Sequence, residues 1–333
     1  MNPVLVELTR GVLVESRHPG AIAVADADGR LVWSCGDVGA PIYPRSAVKM
    51  LQALALVETG AADAYGLADK ELALACASHS GEPFHVETVR AWLARIGLGE
   101  EVLACGAPTA PDGRPLTRAH HNCSGKHTGF LTAARQFGAD PAGYQRPEHP
   151  VQQRVLATIA EMSGVDLASM PVAVDGCTAP AVALPLGPLA TAFARIADPT
   201  RLPAERALAA QRLDAAVKAE PLYVAGTGRS CTALIGAAAG AASVKTGAEG
   251  VYVAAISSLG LGVALKIDDG AARASETAIA AVMQALGVVD AADPAIHALL
   301  QADIPNSVGE AVGVRQASGW LRASLRDLPR NRA

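Results

Sequence analysis

Positive charge is in short supply. Only 18% of the 333 residues are charged, and 28 Lys and Arg face 32 Asp and Glu, for a formal net charge of −4. A general nucleic-acid binder normally carries a basic surplus, so no nucleic-acid partner is expected. Cysteine is sparse too. The six cysteines, at 35, 76, 105, 123, 177 and 231, contain no C-x-x-C pair, which argues for reduced thiols over a disulfide framework. The opening Met1–Arg10 stretch lacks a basic segment followed by a long apolar run, so no secretory signal is expected. The longest uncharged stretch, 176–194, is interrupted by Pro180, Pro185 and Pro188 and would make a poor membrane span. A soluble, cytoplasmic protein is therefore the expectation. G-x-G-x-x-G and G-x-x-x-x-G-K-[ST] are both missing, and with them the usual nucleotide sites. There is no internal repeat and no low-complexity block.

What the chain does have is core material, since half of it is hydrophobic. Residues 1–40 alternate as strands do. Val4, Val6 and Leu8 form one set and Val12 and Val14 another, while Asp28-Gly29 lies between two apolar runs as a hairpin signal. The period then changes. Residues 46–58 read as a buried helix ending near Gly60. Further helices are expected over 69–77, 85–96, 124–137, 151–163, 189–196 and 204–218. Strand character returns over 251–257 and 260–267, and a helix over 272–286 follows. The expected fold is α+β, with N- and C-terminal strands sharing one antiparallel sheet and a large helical region inserted between them. One domain over 1–333 is expected, strand-rich at about 1–45 and 243–290 and helical at about 46–242. The arginine-rich end, 326–333, is expected to fray.

Three groups of residues suggest chemistry. Ser46 and Lys49 form S-x-x-K, which on a helix puts both side chains on one face with Ser46 at the helix start. Burial disfavours an ammonium, so Lys49 could serve as a neutral base. An N-terminal capping serine beside a lysine reaching for solvent is the plain alternative. Lys245-Thr246-Gly247 precedes the expected strand 251–257, and Ser78-His79-Ser80 falls between the two motifs. A serine-lysine pair, a serine loop and K-T-G occur in this order in class A β-lactamases and penicillin-binding proteins, although their middle element ends in Asn. Cys123, Lys126 and His127 fall at a helix start with Cys177 further on, and two thiolates with one nitrogen would suit zinc. Small core thiols are the competing reading. Arg45 could hold a substrate carboxylate and Glu82 an ammonium group.

Taken together, the segments Pro44–Lys49, Cys76–Pro83, Asn122–His127, Asp175-Gly176-Cys177, Val224–Arg229, Lys245–Gly250 and Leu265–Gly270 resemble the asparaginase II family of the rhizobial, serine-lysine type. The resemblance runs from about Val4 to Leu286. It implies a fold like the glutaminases and class A β-lactamases, a homodimer, and hydrolysis of L-asparagine to L-aspartate and ammonia. It implies two Ser-Lys pairs, Ser46 with Lys49 and Ser78 with Lys245. It also implies a zinc site at Cys123, Lys126 and Cys177, with Asp175 beside it. His79 and His127, inside these segments, join Arg45, Glu82 and Asp175 as expected substrate-binding residues. The sequence departs from the family pattern locally. Thr178-Ala-Pro stands where Gly-Ala-Pro is common, and Ser230 follows Arg229 where an acidic residue is more usual. The alternatives are a related amidase acting on glutamine or a β-lactam, and a zinc- or thiol-based regulatory protein without catalysis.

Overall fold

The computed structural model describes residues 1–110 and 112–328. It divides into two compact units, the first comprising Met1–Ala47, Leu184–Asp198 and Ala233–Ala333, the second Val48–Ala183 and Pro199–Thr232.

The first unit is built on an antiparallel sheet of β1 (Val4–Arg10), β2 (Leu13–Asp26), β3 (Leu31–Cys35), β4 (Ser243–Thr246), β5 (Val251–Ile256), β6 (Leu261–Ile267), β7 (Gln301–Pro305) and β8 (Ala311–Ala317). Its order is β7-β8-β1-β2-β6-β5-β4, with β3 also paired to β2. The expected union of N- and C-terminal strands is the β2–β6 ladder, which runs from Gly20–Ile267 to Asp26–Leu261. Every residue of β5 is buried, so this strand is covered on both faces. Helices Leu186–Ala197 and Ala272–Ala285 both pack against β5 and β6. Gly262 on β6 permits the first of these contacts, because a Cβ there would stand 1.9 Å from the Ala190 carbonyl. The Asp28-Gly29 hairpin forms between β2 and β3, with Gly29 at φ 88°.

Three features differ from the sequence reading. Lys245 and Thr246 do not merely precede a strand; they end β4. Gln301–Pro305 and Ala311–Ala317, whose apolar alternation is weak, extend the sheet beyond β1, the former as its edge strand and both half-exposed. Ser46 does not open an α-helix. It lies in a 3₁₀ turn, Arg45–Val48, and the α-helix begins at Lys49. The fraying expected over 326–333 falls largely outside the described residues.

The second unit is helical. Helix Lys49–Glu58 is buried at all but one position and packs against helices Ser124–Gln136, Pro150–Ser163 and Ala204–Ala219. Fully buried Leu51 and Leu54 each contribute about 1.5–3 kcal/mol of transfer free energy. Glu58 closes this helix inside the unit, where Arg206 and Arg154 neutralise its buried carboxylate. The chain leaves the helix at Gly60, whose φ of 72° takes it out of the helical path. Among the described residues no helix is long and apolar enough to cross a membrane. All six cysteines are buried and unbridged.

Candidate active site

In the first unit, Ser46 is half-buried in its 3₁₀ turn, directly after Arg45. Arg45 has φ 53°, a left-handed conformation that costs a non-glycine residue on the order of 1–3 kcal/mol. The end of β4 lies against this turn. A Cβ on Gly247 would stand 2.5 Å from the Pro44 carbonyl and 3.3 Å from Ala47 Cβ, so the K-T-G backbone and the serine turn meet only because residue 247 has no side chain. Lys245 is 1% exposed, and its Nζ donates to the Thr246 carbonyl at 2.7 Å.

In the second unit, Lys49 is also 1% exposed. Its Nζ donates to the Ala77 carbonyl at 2.5 Å, approaches the Asn122 carbonyl at 3.5 Å and stands 3.0 Å from Ser78 Oγ. The resemblance pairs Ser78 with Lys245; Lys49 also reaches the Ser78 hydroxyl. The Ser78 loop is held strand-like, because Ser78 and Ser80 donate their backbone N–H groups to Val224 and Ala225 at 3.0 and 2.9 Å.

His79 and Glu82 stabilise this loop. His79 Nδ1 accepts from the Gly81 amide at 3.1 Å and its Nε2 lies 2.9 Å from Ser124 Oγ. Ser124 itself donates to Ala119 O, so His79 fits as a neutral ring donating from Nε2. Burial, reinforced by His85 and Lys49, pushes its pKa well below the usual histidine range. Both Glu82 oxygens accept from Thr227, from its amide and its hydroxyl at 2.8 Å each, and these bonds keep the carboxyl below its ordinary value. His127 Nδ1 lies 2.6 Å from the Tyr144 hydroxyl, while its Nε2 is buried without a hydrogen-bond partner among the described residues. Burial and nearby Lys126 push it, too, well below the histidine range.

Lys126, Cys123 and Cys177 lie close together in the second unit. Lys126 Nζ lies 3.0 Å from Cys177 Sγ, and Cys123 and Cys177 share a hydrogen bond. That bond from Cys177 holds Cys123 well below the ordinary thiol value, with Lys49 and Lys126 adding to it, while Cys177 is pushed up by the same bond. Burial works against charge on Lys126, yet Cys177, Cys123 and Asp175 outweigh it and raise its pKa. Asp175 Oδ1 accepts from the Cys177 amide at 3.2 Å and fixes the turn. Among the described residues no cluster of three His, Cys, Asp or Glu side chains forms a metal site. The two thiols and one amine nevertheless fit a soft cation such as zinc, on release of their protons.

Sequence reasoning missed Tyr144, which joins His127 to the Ala104 amide. It also missed the carbonyls of Ala77 and Asn122 on Lys49. A lone tyrosine in a loop carries no pattern, and a carbonyl carries no residue identity.

The sequence matches the L-asparaginase II family model over residues 6–317. No curated protein is significantly similar to it in sequence. Among solved structures, one described as Mglu in its tris and glutamate form is 16% identical with a TM-score of 0.46, over 84% of this chain and 62% of that one. A β-lactamase from Mycobacterium bovis is 12% identical with a TM-score of 0.37, over 77% of this chain and 89% of that one. The chain thus spans less than two thirds of the length of the first of these structures. The chain belongs to the L-asparaginase II family.

Proposed function

We propose that the protein is an L-asparaginase that hydrolyses the side-chain amide of L-asparagine to L-aspartate and ammonia. The observation that carries this reading is Lys49, a lysine buried to 1% exposure with its Nζ 3.0 Å from a serine hydroxyl and three residues after Ser46. Buried amines next to hydroxyls activate nucleophiles.

Ser46 is the nucleophile. Lys49, as the unprotonated amine, takes the Ser46 proton while Oγ bonds to the amide carbon and the carbonyl becomes an oxyanion. Collapse of the oxyanion breaks the C–N bond. The leaving nitrogen receives a proton through Ser78 and Lys245 and departs as ammonia, leaving an aspartyl ester on Ser46. Water, deprotonated by the same groups, attacks the ester; the Ser46–acyl bond breaks and Oγ regains its proton. Arg45 is suited to the substrate carboxylate and Asp175 to its ammonium. His79, Glu82 and His127 hold the Ser78 loop and the start of helix Ser124–Gln136 through the hydrogen bonds already described.

Cys123, Lys126 and Cys177 would hold zinc, which supplies Lewis-acid polarisation and orientation of a bound ligand. The serine already provides the nucleophile, so the metal's part is in substrate affinity. A cytoplasmic homodimer completes the reading, and sedimentation of the purified chain tests the oligomer.

Ammonia release from L-asparagine, from L-glutamine and ring opening of a chromogenic β-lactam, measured side by side, test the function. Turnover of asparagine that disappears in Ser46→Ala supports the reading. Faster turnover of either other substrate, or full asparagine turnover in Ser46→Ala, overturns it.

A further inference from the structure

The first unit contains a cavity of about 210 Å³, at the end of the sheet order away from β4 and Lys245. It is lined by Arg10 at the end of β1, Glu15 on β2, Asp303 on β7, Arg315 on β8 and Arg273 in the first turn of helix Ala272–Ala285. Its volume is below the roughly 300–1,000 Å³ typical of drug-sized sites, so it suits a smaller molecule. Arg315 pairs across the strands with Leu8 on one side and Ala302 on the other, and the short Ala302 side chain leaves room above the guanidinium.

The charges in this cavity are unevenly satisfied. Arg10 and Glu15 neutralise each other at 2.9 Å. Arg315 spends one terminal nitrogen on the Ala298 carbonyl at 3.1 Å, but its Nε is buried with no hydrogen-bond partner among the described residues. Burial holds the Arg315 pKa below the usual arginine value, Glu276 opposes that, and the like charge of Arg273 adds to it. Arg273 is exposed and its charge acts on the Glu15 and Asp269 carboxylates, while the Asp303 carboxylate makes no hydrogen bond or ion pair with any described residue. The lining thus holds three guanidinium groups and two carboxylates, with the buried Arg315 Nε still lacking an acceptor. An anionic ligand would supply that acceptor, and a cationic group on the same ligand would match Asp303.

We propose that this cavity binds a small α-amino acid with an acidic side chain, its carboxylates on Arg273 and Arg315 and its ammonium group on Asp303. The site is separate from the Ser46 and Lys245 chemistry, with β2, β6 and β5 lying between β1 and β4 in the sheet. The proposal does not depend on the asparaginase reading.

Calorimetric titration of the full chain with L-aspartate and with succinate, which lacks the ammonium group, tests it. The variants are Arg273→Ala and Asp303→Asn. Both side chains are exposed and make no internal bonds, so the variants should melt with the parent. A catalytic site could also take aspartate, so only the heat that these variants alter belongs to this cavity. The expected result is a binding component for L-aspartate that Arg273→Ala weakens about tenfold or more, the scale of one charge-assisted hydrogen bond. Asp303→Asn should weaken L-aspartate similarly and leave succinate unchanged or tighter. Superimposed isotherms for the parent and both variants overturn the proposal. So does a loss confined to Arg273→Ala, which describes an anion site without recognition of the ammonium group. Hydrolysis is not the readout, so an inactive protein would leave this result intact.

Discussion

Lys49 Nζ and Ser78 Oγ stand 3.0 Å apart inside the second unit, and the same nitrogen reaches the carbonyls of Ala77 and Asn122. Nζ donates in all three contacts, which anchor the amine beside a hydroxyl. Lys49→Met should therefore lower kcat by about 10²–10⁴-fold, the range of a general base. Ser78→Ala should cost less than Lys49→Met, and the double variant no more than Lys49→Met, since groups acting as a unit are non-additive. Steady-state kinetics with asparagine across pH measure all three. Equal kcat in parent and Lys49→Met would remove Lys49 from the chemistry.

Much of this was legible in the sequence because it rests on periodicity. The apolar run of Lys49–Glu58 announced a buried helix, and Asp28-Gly29 announced a hairpin. Cys123, Lys126 and Cys177 could be grouped from their spacing and the family resemblance. The strands Gln301–Pro305 and Ala311–Ala317 were not legible, because a half-exposed strand with mixed polarity has almost no period-two signal. The start of helix Lys49–Glu58 was misplaced for another reason. Serine is a preferred helix-capping residue, but the left-handed Arg45 turns the chain into a 3₁₀ segment first. The Lys49–Ser78 contact joins residues 29 positions apart, a distance over which no local pattern operates.

Gly247 is a second point of control. An added methyl would meet the Pro44 carbonyl at 2.5 Å, and neither backbone has a flexible end to yield. Gly247→Ala should destabilise the protein by about 1–3 kcal/mol, the usual cost of overpacking. It should also displace the turn carrying Ser46, so kcat should fall more than the folded fraction does. Chemical denaturation combined with kinetics separates the two effects. An unchanged midpoint would mean that β4 and the turn can part without cost.

Thr178 stands where the family commonly has glycine, and its φ is 75°. A β-branched residue in the left-handed region is strained by on the order of 1–3 kcal/mol, part of which glycine returns as extra freedom of the unfolded chain. Thr178→Gly should stabilise the fold by about 1 kcal/mol and raise Tm by roughly 2 °C. Thermal unfolding checks this. A fall in Tm would show that the threonine hydroxyl, 3.4 Å from the Ala104 carbonyl, outweighs the backbone strain.

The buried neutral histidines give folding a pH dependence. His79 and His127 both have pKa values well below 6.5 in the folded protein. Unfolding restores them to about 6.5, so below that pH the unfolded chain binds more protons and stability falls as pH falls. Each histidine contributes about 1.4 kcal/mol per pH unit in that window, and the contribution levels off above it. Denaturation midpoints at pH 7.5, 6.0 and 5.0 should decline accordingly. His79→Asn should flatten the decline while lowering the plateau. A parent midpoint that is flat from pH 7.5 to 5.0 would mean that both rings stay accessible to protons in the fold.

Metal binding should act on affinity for substrate more than on the chemical step. Cys123 and Cys177 already share one hydrogen bond and Lys126 lies on Cys177, so a soft cation would replace protons within a preformed group. Zinc uptake by the purified chain should therefore release protons into a weakly buffered solution. Cys177→Ala should abolish uptake, because it leaves one thiol and one amine. Removing zinc with a strong chelator should raise KM for asparagine and leave most of kcat, since Ser46 and Lys49 do not depend on the metal for their proton transfer. Complete loss of turnover at saturating asparagine, restored by zinc alone, would instead place the metal on the reacting amide itself.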